Sequence, residues 1–502
     1  MAINPESSPD RAGWASLRGL TKYQWFVFIV CCLAWDLDCM DQQLFNVARR
    51  PAMMDLVPKV QDSDPRLPEL TAKLTEERAK NKQGPPAAAD VIAAQFNADV
   101  ARGATLATSI FLIGWAIGGI GFGMMGDRFG RVRTLMITIL MYSVFTGLSA
   151  FSTSVVDFGI YRFLTGLGVG AVFAVAVSIL AETMPSAARP YMLGLLQMSS
   201  AFGNCAAATV SIVLGYLQID DQLGGYKPWK IMFLVGIVPA LLIVLIQRRL
   251  AEPEAWTKAR ADSLAGTGKQ LGSLKELFGD PRWRGRALLG VLLAFAGVVG
   301  LWGIGFFTPD LQAYVFDPVF RAEGGEKGLT GADMDKYVGG RKAIWAGWTS
   351  MLLNVGAVFG IFAFSWITPH LGRKPTFALS FVAAAASTAM VFWYLSEFND
   401  IFWMLPIMGF CQLALFGGYA IYFPELFPTR LRSTGTSFCY NVGRLVAASG
   451  PLALGMLTSQ VFAGRDAPLP LRYAGVAMCS VFLLGLIALP FLPETKGKPL
   501  PE

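Results

Sequence analysis

The sequence predicts an all-α polytopic membrane protein, with twelve transmembrane helices arranged as two pseudo-symmetric bundles of six. Of the 502 residues, 54% are hydrophobic and only 15% are charged, whereas soluble proteins usually carry about 25% charged residues. The chain also contains many apolar stretches of about 20 residues, the length that crosses a hydrocarbon core of about 30 Å. In addition, two charged loop motifs recur about half a chain apart, which indicates an internal repeat.

Twelve transmembrane spans follow from the apolar stretches and the polar loops between them. An excess of Lys and Arg marks the cytoplasmic loops of a membrane protein. Arg128, Arg131, Arg248, Arg249 and Arg373 fall on one side, together with both termini, so that side is predicted to be cytoplasmic. The protein is therefore expected in the inner (plasma) membrane as a multi-pass protein. The predicted spans are 23–46, 103–125, 134–152, 155–180, 191–217, 229–248, 286–310, 343–367, 375–396, 401–423, 433–460 and 472–492.

The predicted organisation has two bundles, with charged insertions on the outside of the membrane. The first insertion includes LPELTAKLTEERAKNK, a predicted surface helix, and its expected role is that of a lid or a spacer. The predicted segments are a cytoplasmic N-terminus (1–22), the first bundle (23–248, with insertion 47–102), a cytoplasmic connection (249–285), the second bundle (286–492, with insertion 312–342) and a cytoplasmic tail (493–502).

Two landmarks repeat between the halves at nearly one offset. ETMPSAAR (182–189) and ELFPTRLR (425–432) both have the pattern E-x2-P-x3-R and are 243 residues apart, and GDRFGRVR (126–133) aligns with TPHLGRKP (368–375) at an offset of 242. Parallel repeats of this kind are associated with carriers that expose a central site to each side of the membrane in turn. A channel or a membrane enzyme has no comparable need for them.

Several other classes of protein are disfavoured. The seven cysteines fall inside predicted spans without metal-ligand spacing, so no metal site and no cofactor are expected. The net charge of +7 is spread over short loops, so no nucleic-acid partner is expected. No nucleophile–base pair stands out, so the chain is not expected to be an enzyme. The expected partners are a small-molecule substrate and the lipid bilayer, and the protein is expected to be a monomer.

Five stretches resemble the major facilitator superfamily or its branches. GMMGDRFGRVR (123–133) is close to its G-x3-D-R-x-G-R-[RK] signature, with Val132 in place of the second basic residue, and YRFLTGLGVGA (161–171) is similar to its R-x3-G-x-G motif. AEPEAW (251–256) and PETKGKPLPE (493–502) resemble the sugar-porter and organic-acid symporter branches. DCMD (38–41) matches the D-x2-D arrangement of aromatic-acid/proton symporters, which favours an organic-anion symporter over a sugar carrier.

Three aspartates lie inside the first span, where a charge costs about 2.5–3.5 kcal/mol unless it faces a wet cavity or a partner. At 100° per residue, Asp38 and Asp41 are about 60° apart with Gln42 between them, and Asp36 points about 160° away from Asp38. Asp41 or Asp38 is the expected proton carrier, with protons as the coupling ion. The alternatives are a structural pair at the outer end of the span and direct contact with substrate.

Two arginines lie inside predicted spans. Arg162 is expected near the level of Asp41, to pair with it and to take part in proton coupling. Arg444 is expected near the midplane, where its guanidinium suits a substrate carboxylate; the alternative is an ion pair or a snorkelling side chain. Four amides fall at similar depths and either orient the substrate or join helices. These are Asn204, Asn354, Gln412 and Asn441. Gln42, on the face shared with Asp38 and Asp41, is also a candidate for binding substrate.

Charged residues in the cytoplasmic loops are predicted to form a gate. Asp127 with Arg128, Arg131 and Arg133 stands at a helix–loop junction where ion pairs can form in one state and break in another. Glu182 with Arg189, and Glu425 with Arg432, are the matching elements of the two halves, and the resemblance assigns them to one conformational latch. The alternative is a static role in membrane topology.

These observations predict a secondary transporter that brings in a small organic anion with protons by alternating access. A sugar or polyol carrier, coupled or facilitative, is the second interpretation. A membrane sensor that keeps the fold without transport is the third.

Overall fold

The computed structural model describes most of the chain, and the described ranges are mostly helical, without a strand among them. Those ranges are 13–61, 63–80, residue 85, 87–219, 226–265, 271–447, 449–462 and 468–501. They contain the twelve predicted spans, numbered here 1 to 12. Spans 1 to 6 are Lys22–Leu56, Ala88–Phe129, Arg131–Ser149, Val155–Thr183, Arg189–Ile219 and the pieces Pro228–Val235, Val238–Leu241 and Leu242–Arg249.

The second half has the same arrangement. Spans 7 to 12 are Pro281–Val298 with Val299–Ile304, Gly331–Leu371, Arg373–Tyr394, Phe398–Leu426, Arg432–Ala447 with Ser449–Met456 and Leu457–Val461, and Leu469–Met478 with Val481–Ala488 and Leu489–Phe491. Shorter helices connect them: Gly13–Gly19, Leu67–Lys80, Glu254–Leu264, Leu274–Gly279, Gly305–Phe307, Thr308–Val315, Asp317–Glu326 and Thr429–Leu431. The surface helix predicted in the first insertion is therefore present as Leu67–Lys80.

Ten of the twelve spans are long and apolar enough, within the described residues, to cross a membrane. Spans 5 and 11 do not meet that criterion although they are helical over the predicted ranges. Both bury polar side chains inside the protein, such as Gln197 and Ser199 in span 5 and Ser437 and Asn441 in span 11. The polar faces of spans 5 and 11 therefore pack against other helices of the protein.

Three helices are longer than predicted. Spans 1, 2 and 8 contain 35, 42 and 41 residues, which correspond to about 50–63 Å at 1.5 Å per residue. Parts of the two predicted insertions (47–56, 88–102 and 331–342) are therefore continuations of these helices. The helices continue through residues that could have ended them: Pro51 lies within span 1, Gly103 within span 2, and Gly339 with Gly340 within span 8.

Glycines set the close packing within each half, and they repeat. A Cβ on Gly114 or Gly118 of span 2 would lie 2.3 or 2.0 Å from a carbonyl oxygen of span 4. A Cβ on Gly356 or Gly360 of span 8, each 242 residues later, would lie 1.9 or 2.0 Å from a carbonyl oxygen of span 10. Backbones this close leave no room for a side chain, so the repeat in sequence is also a repeat in packing.

The two halves meet mainly along two helix pairs. Span 11 packs on span 2, and span 8 packs on span 5. Under the repeat, span 2 corresponds to span 8 and span 11 corresponds to span 5, so the two pairs are equivalent contacts.

Candidate functional site

A buried charge network joins the halves at one end of the molecule. We call this the signature end, because it carries the loops 126–133 and 368–375. Arg131 pairs with Asp127 at 2.6 Å and with Glu182 at 3.0 Å, and Glu182 also pairs with Arg432 of the other half at 2.8 Å. All four side chains are fully buried. One carboxylate, that of Glu182, thus joins an arginine from each half.

Asp127 makes a second connection between the halves. Its carboxylate accepts hydrogen bonds from the backbone N–H groups of Ser433 at 3.2 Å and Thr434 at 2.8 Å, and from the Thr434 hydroxyl. These N–H groups belong to the first turn of span 11, where helix donors have no partner within the helix. A residue of span 2 therefore caps a helix of the opposite half.

The two glutamates of the repeated E-x2-P-x3-R motif do not pair with the arginines of their own motif. Arg189 donates to the carbonyl of Met184 at 3.4 Å and not to Glu182. Glu425 pairs with Arg373 at 2.9 Å and accepts a hydrogen bond from Thr495, while Arg432 pairs with Glu182. The sequence analysis placed Arg373 on the cytoplasmic side but did not assign it to the gate, although its offset of 242 residues from Arg131 was a usable signal.

Two residues predicted for the gate lie outside this network. The side chains of Arg128 and Arg133 are exposed. Arg128 donates to the carbonyl of Leu271 at 3.2 Å, and Arg133 uses its backbone N–H toward Glu252. Both arginines lie on exposed helix faces, so their guanidinium groups point toward the surface and away from the buried carboxylates.

Spans 3 and 9 begin with the same cap, which sequence reasoning missed. Each follows a glycine of positive φ, Gly130 at 123° and Gly372 at 103°. Glu252 accepts from the N–H of Arg131 at 2.7 Å, and Glu494 accepts from that of Arg373 at 2.9 Å. The signal was the shared offset of 242 residues, because AEPEAW and PETKG occupy equivalent positions.

Burial alone would raise the pKa of Glu494, but hydrogen bonds from the backbone N–H groups of Arg373, Lys374 and Lys496 hold that pKa below its usual range. The ionised carboxylate is therefore the form that the cap requires.

In the middle of the first half, Asp38 and Asp41 are fully buried. Asp38 accepts a hydrogen bond from Gln42 at 2.9 Å, as their shared helix face predicts. Its other oxygen has no hydrogen-bond partner in the described part of the chain. Asp38 also interacts electrostatically with Arg444 of span 11. Asp36 is only partly buried and its backbone carbonyl packs against Gly203 of span 5, a different direction from Asp38.

Asp41 interacts electrostatically with Arg162, but the two form no ion pair within 4 Å. Neither carboxylate oxygen of Asp41 has a hydrogen-bond partner among the described residues, although the Thr146 hydroxyl lies beside it. Arg162 instead donates to the Ser149 hydroxyl at 2.6 Å. The expected contact pair is therefore replaced by two separated charges in one buried space.

The guanidinium of Arg162 is held by aromatic rings. It lies 5.4, 5.8 and 4.7 Å from the ring centres of Phe45, Phe158 and Phe233. Its Nη1 atom is buried without a hydrogen-bond partner among the described residues. Favourable cation–π contacts thus fix this charge at a distance from the carboxylate.

Arg444 lies between two aromatic rings from opposite halves. Its guanidinium carbon is 4.4 Å from the ring centre of Trp115 in span 2 and 4.2 Å from that of Tyr440 in its own helix. It donates to the Tyr440 hydroxyl at 2.9 Å, and its Nε and Nη1 atoms are buried without partners in the described ranges. Tyr440 stacks on Phe173 of span 4 at 4.5 Å. Sequence reasoning did not find these three aromatic residues, because no local pattern distinguishes them from core residues.

The four predicted amides divide into two groups. Gln412 is buried and donates to Thr388 of span 9 at 2.6 Å and to the Gly300 carbonyl of span 7 at 3.3 Å. Asn441 is also buried and donates to the Gly170 carbonyl of span 4 at 2.9 Å. Both amides therefore join helices.

Asn204 and Asn354 remain partly accessible. They lie on facing helices, because Gly194 of span 5 packs on Ser365 of the antiparallel span 8. Asn204 is ten residues from that contact and Asn354 is eleven, so the two amides lie at similar levels, about 15 and about 17 Å from it along the helix axes.

Comparisons with known proteins agree with this architecture. A family model described as sugar (and other) transporter matches residues 69–270. A cis,cis-muconate transport protein of Acinetobacter baylyi is 31% identical over 409 residues, which cover 81% of this chain and 89% of that protein. This chain belongs to the major facilitator superfamily.

Two further known proteins are similar to this chain. A probable 4-methylmuconolactone transporter of Cupriavidus pinatubonensis is 26% identical over 393 residues, with 78% and 81% of the two chains covered. The solved structure of the proton:xylose symporter XylE has a TM-score of 0.62 and 18% identity, and it covers 95% of this chain and 98% of its own. The chain is thus a multi-pass membrane transport protein of the major facilitator superfamily and not an enzyme.

Proposed function

We propose that this protein carries a small organic anion into the cell together with protons, by alternating exposure of a site between its halves. The observation that carries the proposal is Arg444, a half-buried cation between the halves with two unpaired donor atoms. An arginine in this state suits a carboxylate, which its planar donors can bind. The names of the similar proteins, transporters of muconate and of methylmuconolactone, support an organic acid as the substrate.

The proton is assigned to Asp41. Burial disfavours its ionised form, and the separated charge of Arg162 favours it, so modest changes around the carboxylate during the transport cycle are enough to load or release a proton. Asp38 has a different neighbour, Arg444, and is assigned as the counter-charge of the empty anion site. In this proposal the signature end is cytoplasmic and closed, and substrate arrives from the opposite side.

Uptake into proteoliposomes tests the assignment of Asp41. With a pH gradient, the wild type is expected to concentrate labelled cis,cis-muconate, whereas Asp41→Asn should equilibrate the label without concentrating it. Exchange of internal for external muconate should persist in Asp41→Asn, since exchange needs no net proton movement. Asp36→Asn, on another face of the same helix, is the control. Gradient-driven accumulation by Asp41→Asn would show that this residue is not the proton carrier.

Binding measurements test the anion site. Arg444→Lys is expected to weaken muconate binding by about tenfold, or 1.4 kcal/mol, because an ammonium cannot reproduce the planar pair of donors. Arg472→Lys is the control, since Arg472 donates to backbone carbonyls of span 9 and of the turn after it, such as those of Phe392 and Leu395. Equal affinity in both variants would exclude Arg444 from the site. Competition by sugars or polyols, without competition by carboxylates, would favour the second candidate function, a sugar or polyol carrier.

A further inference from the structure

The polar residues of span 3 share one buried helix face. Thr138, Tyr142, Thr146 and Ser149 follow one another at intervals of four, four and three residues, which places them on the same side of the helix. All four side chains are fully buried. The Ser149 hydroxyl accepts a hydrogen bond from Arg162, but the hydroxyls of Tyr142 and Thr146 have no hydrogen-bond partner in the described part of the chain. A buried hydroxyl without a partner is costly, so these two groups require one.

The carboxylate of Asp41 lies beside this face of span 3. Gly236 stands in a break between two helical pieces of span 6, and a Cβ there would lie 3.2 Å from Oδ1 of Asp41 and would overlap the methyl group of Thr146. The two side chains are therefore neighbours at this glycine. Neither oxygen of Asp41 forms a hydrogen bond within the described ranges, and the Thr146 hydroxyl forms none there either. Both groups can thus bind the same water molecule.

Span 4 adds two more polar atoms at the same level. Its Arg162 donates to Ser149 at 2.6 Å, and a Cβ on its Gly168 would lie 2.7 Å from the backbone nitrogen of Tyr142. Thr165 lies between these two contacts and is therefore level with Tyr142. The Thr165 hydroxyl and Nη1 of Arg162 are buried without hydrogen-bond partners among the described residues. A buried water molecule typically binds two to four such groups, and this region supplies them.

Tyr142 interacts with both buried aspartates of span 1. Its side chain interacts electrostatically with Asp38 and Asp41, and the other titratable group near it is Cys39. The two aspartates are three residues apart, which is about 4.5 Å along the helix. Oδ1 of Asp38 has no hydrogen-bond partner among the residues described, as is true of both Asp41 oxygens. One tyrosine hydroxyl therefore faces the carboxylate of the anion site and the carboxylate assigned to the proton.

We propose that Tyr142 and bound water connect Asp41 to Asp38 and carry the proton between these two carboxylates inside the first half, apart from the path of the anion. The water site has the Thr146 and Thr165 hydroxyls as partners. This inference rests on the proposed function, because it links the proton carrier to the anion site.

The transfer is driven by the anion. Arg444 is the counter-charge of Asp38 while the anion site is empty. A substrate carboxylate at Arg444 competes for that positive charge, and a buried carboxylate that loses its partner neutralises itself by taking up a proton. The Asp41 O–H bond breaks as its proton passes through water to the Tyr142 oxygen, and the Tyr142 hydroxyl proton passes to Asp38. The tyrosine is neutral before and after the transfer, and no electrons are gained or lost.

The first experiment tests the water site and needs no substrate. Hydroxyl radicals generated by radiolysis modify buried side chains that lie next to bound water, and mass spectrometry of the full-length protein locates them. Tyr419 is the internal reference, because it is equally buried but donates to the Leu293 carbonyl at 2.8 Å. Tyr142 should be modified about fivefold faster than Tyr419, since its hydroxyl has water as a partner. Equal rates would overturn the water site.

The second experiment tests the proton connection, again without substrate. The carbonyl stretch of protonated Asp41 is isolated by subtracting the infrared spectrum of Asp41→Asn, and its shift is followed in time after transfer to D2O at acidic pH. Tyr142→Phe removes only the hydroxyl and should slow this exchange about tenfold, whereas Tyr419→Phe, the matched control, should leave it unchanged. A packing defect would admit water and speed the exchange, so a slower rate has no purely structural cause.

A second variant covers the case in which Tyr142→Phe does not fold. Asp38→Asn removes the far end of the connection and should also slow the exchange of Asp41. Exchange that is unchanged or faster in the folded variants would overturn the relay. Continued accumulation of muconate by Asp41→Asn would contradict the proposed proton carrier but would leave both substrate-free results standing, so the two failures are distinguishable.

Discussion

The first-half and second-half copies of the signature loop hold their helices in the same way but use their buried glutamates differently. Span 3 and span 9 each start after a glycine of positive φ and receive a cap from Glu252 or Glu494. The cap is local, and the residues that build it repeat at one offset. The residues that match between the two loops, a glycine, an arginine and a capping glutamate, therefore form the same local structure in both halves.

The glutamates differ because the surrounding charges differ. Glu182 pairs with Arg432 of the opposite half, whereas Glu425 pairs with Arg373 of its own half. The position that matches Asp127 at the offset of 242 is Pro369, which carries no carboxylate. Among the described residues, the glutamate that forms an ion pair across the halves is thus Glu182 and not Glu425, and the repeats diverge at this point.

The largest effect is expected from removing the charge that joins the halves. Glu182→Gln leaves Arg131 and Arg432 buried without this carboxylate, and breaking a buried pair costs about 3–5 kcal/mol. Hydrogen exchange of residues 429–437 should therefore increase markedly in Glu182→Gln. Glu425→Gln is the matched variant, and it should lower thermal stability without raising exchange in that segment. Similar exchange in both variants would contradict the asymmetry.

A smaller effect is expected at the two capping glycines. Alanine in this positive-φ, extended-ψ region, which essentially only glycine occupies, costs about 1–3 kcal/mol, and its Cβ would lie 2.3 Å from Glu252 at position 130 but 3.0 Å from Glu494 at position 372. Gly130→Ala should therefore lower the melting temperature more than Gly372→Ala does, as measured by thermal unfolding in detergent. The reverse order would show that the second cap is the tighter one.

The smallest effect concerns the protonation of Glu494. Its pKa is lower in the folded protein, so its contribution to stability is present above the ordinary glutamate pKa of about 4.3 and is lost as the pH falls through the folded-state value. Glu494→Gln should cost about 0.5–1 kcal/mol at neutral pH, near the lower end for a helix cap because water reaches the carboxylate. Unfolding of both proteins between pH 3 and 7 (about the range of carboxylate titration) should show the difference shrinking in acid. A difference that does not depend on pH would contradict the assigned role.

The sequence was sufficient to predict the structural features that depend on a local pattern of residues. Twelve helices, the repeat and the shared face of Asp38 and Gln42 follow from apolar length, offset and helical period. The partner of Glu182 did not follow, because the register between the halves depends on where spans 2 and 11 meet in space. The two alternatives for Gln412, substrate orientation and contact between helices, could not be separated for a related reason, since an amide at central depth looks the same in sequence whether it faces a cavity or a neighbouring helix.

The aromatic residues around Arg444 could not be predicted from the sequence either. Trp115 and Tyr440 are far apart in the chain, and neither differs locally from a core aromatic residue. What identifies them is their common contact with one guanidinium.

The long continuous helices have a mechanical consequence for observing transport. Span 2, with 42 residues, measures about 63 Å, while half of the hydrocarbon core is about 15 Å. When such a rod tilts about the bilayer centre, its far tip travels about three times as far as the point where it emerges from the lipid. Probes attached near residue 88 would therefore report small rocking movements as large changes in distance.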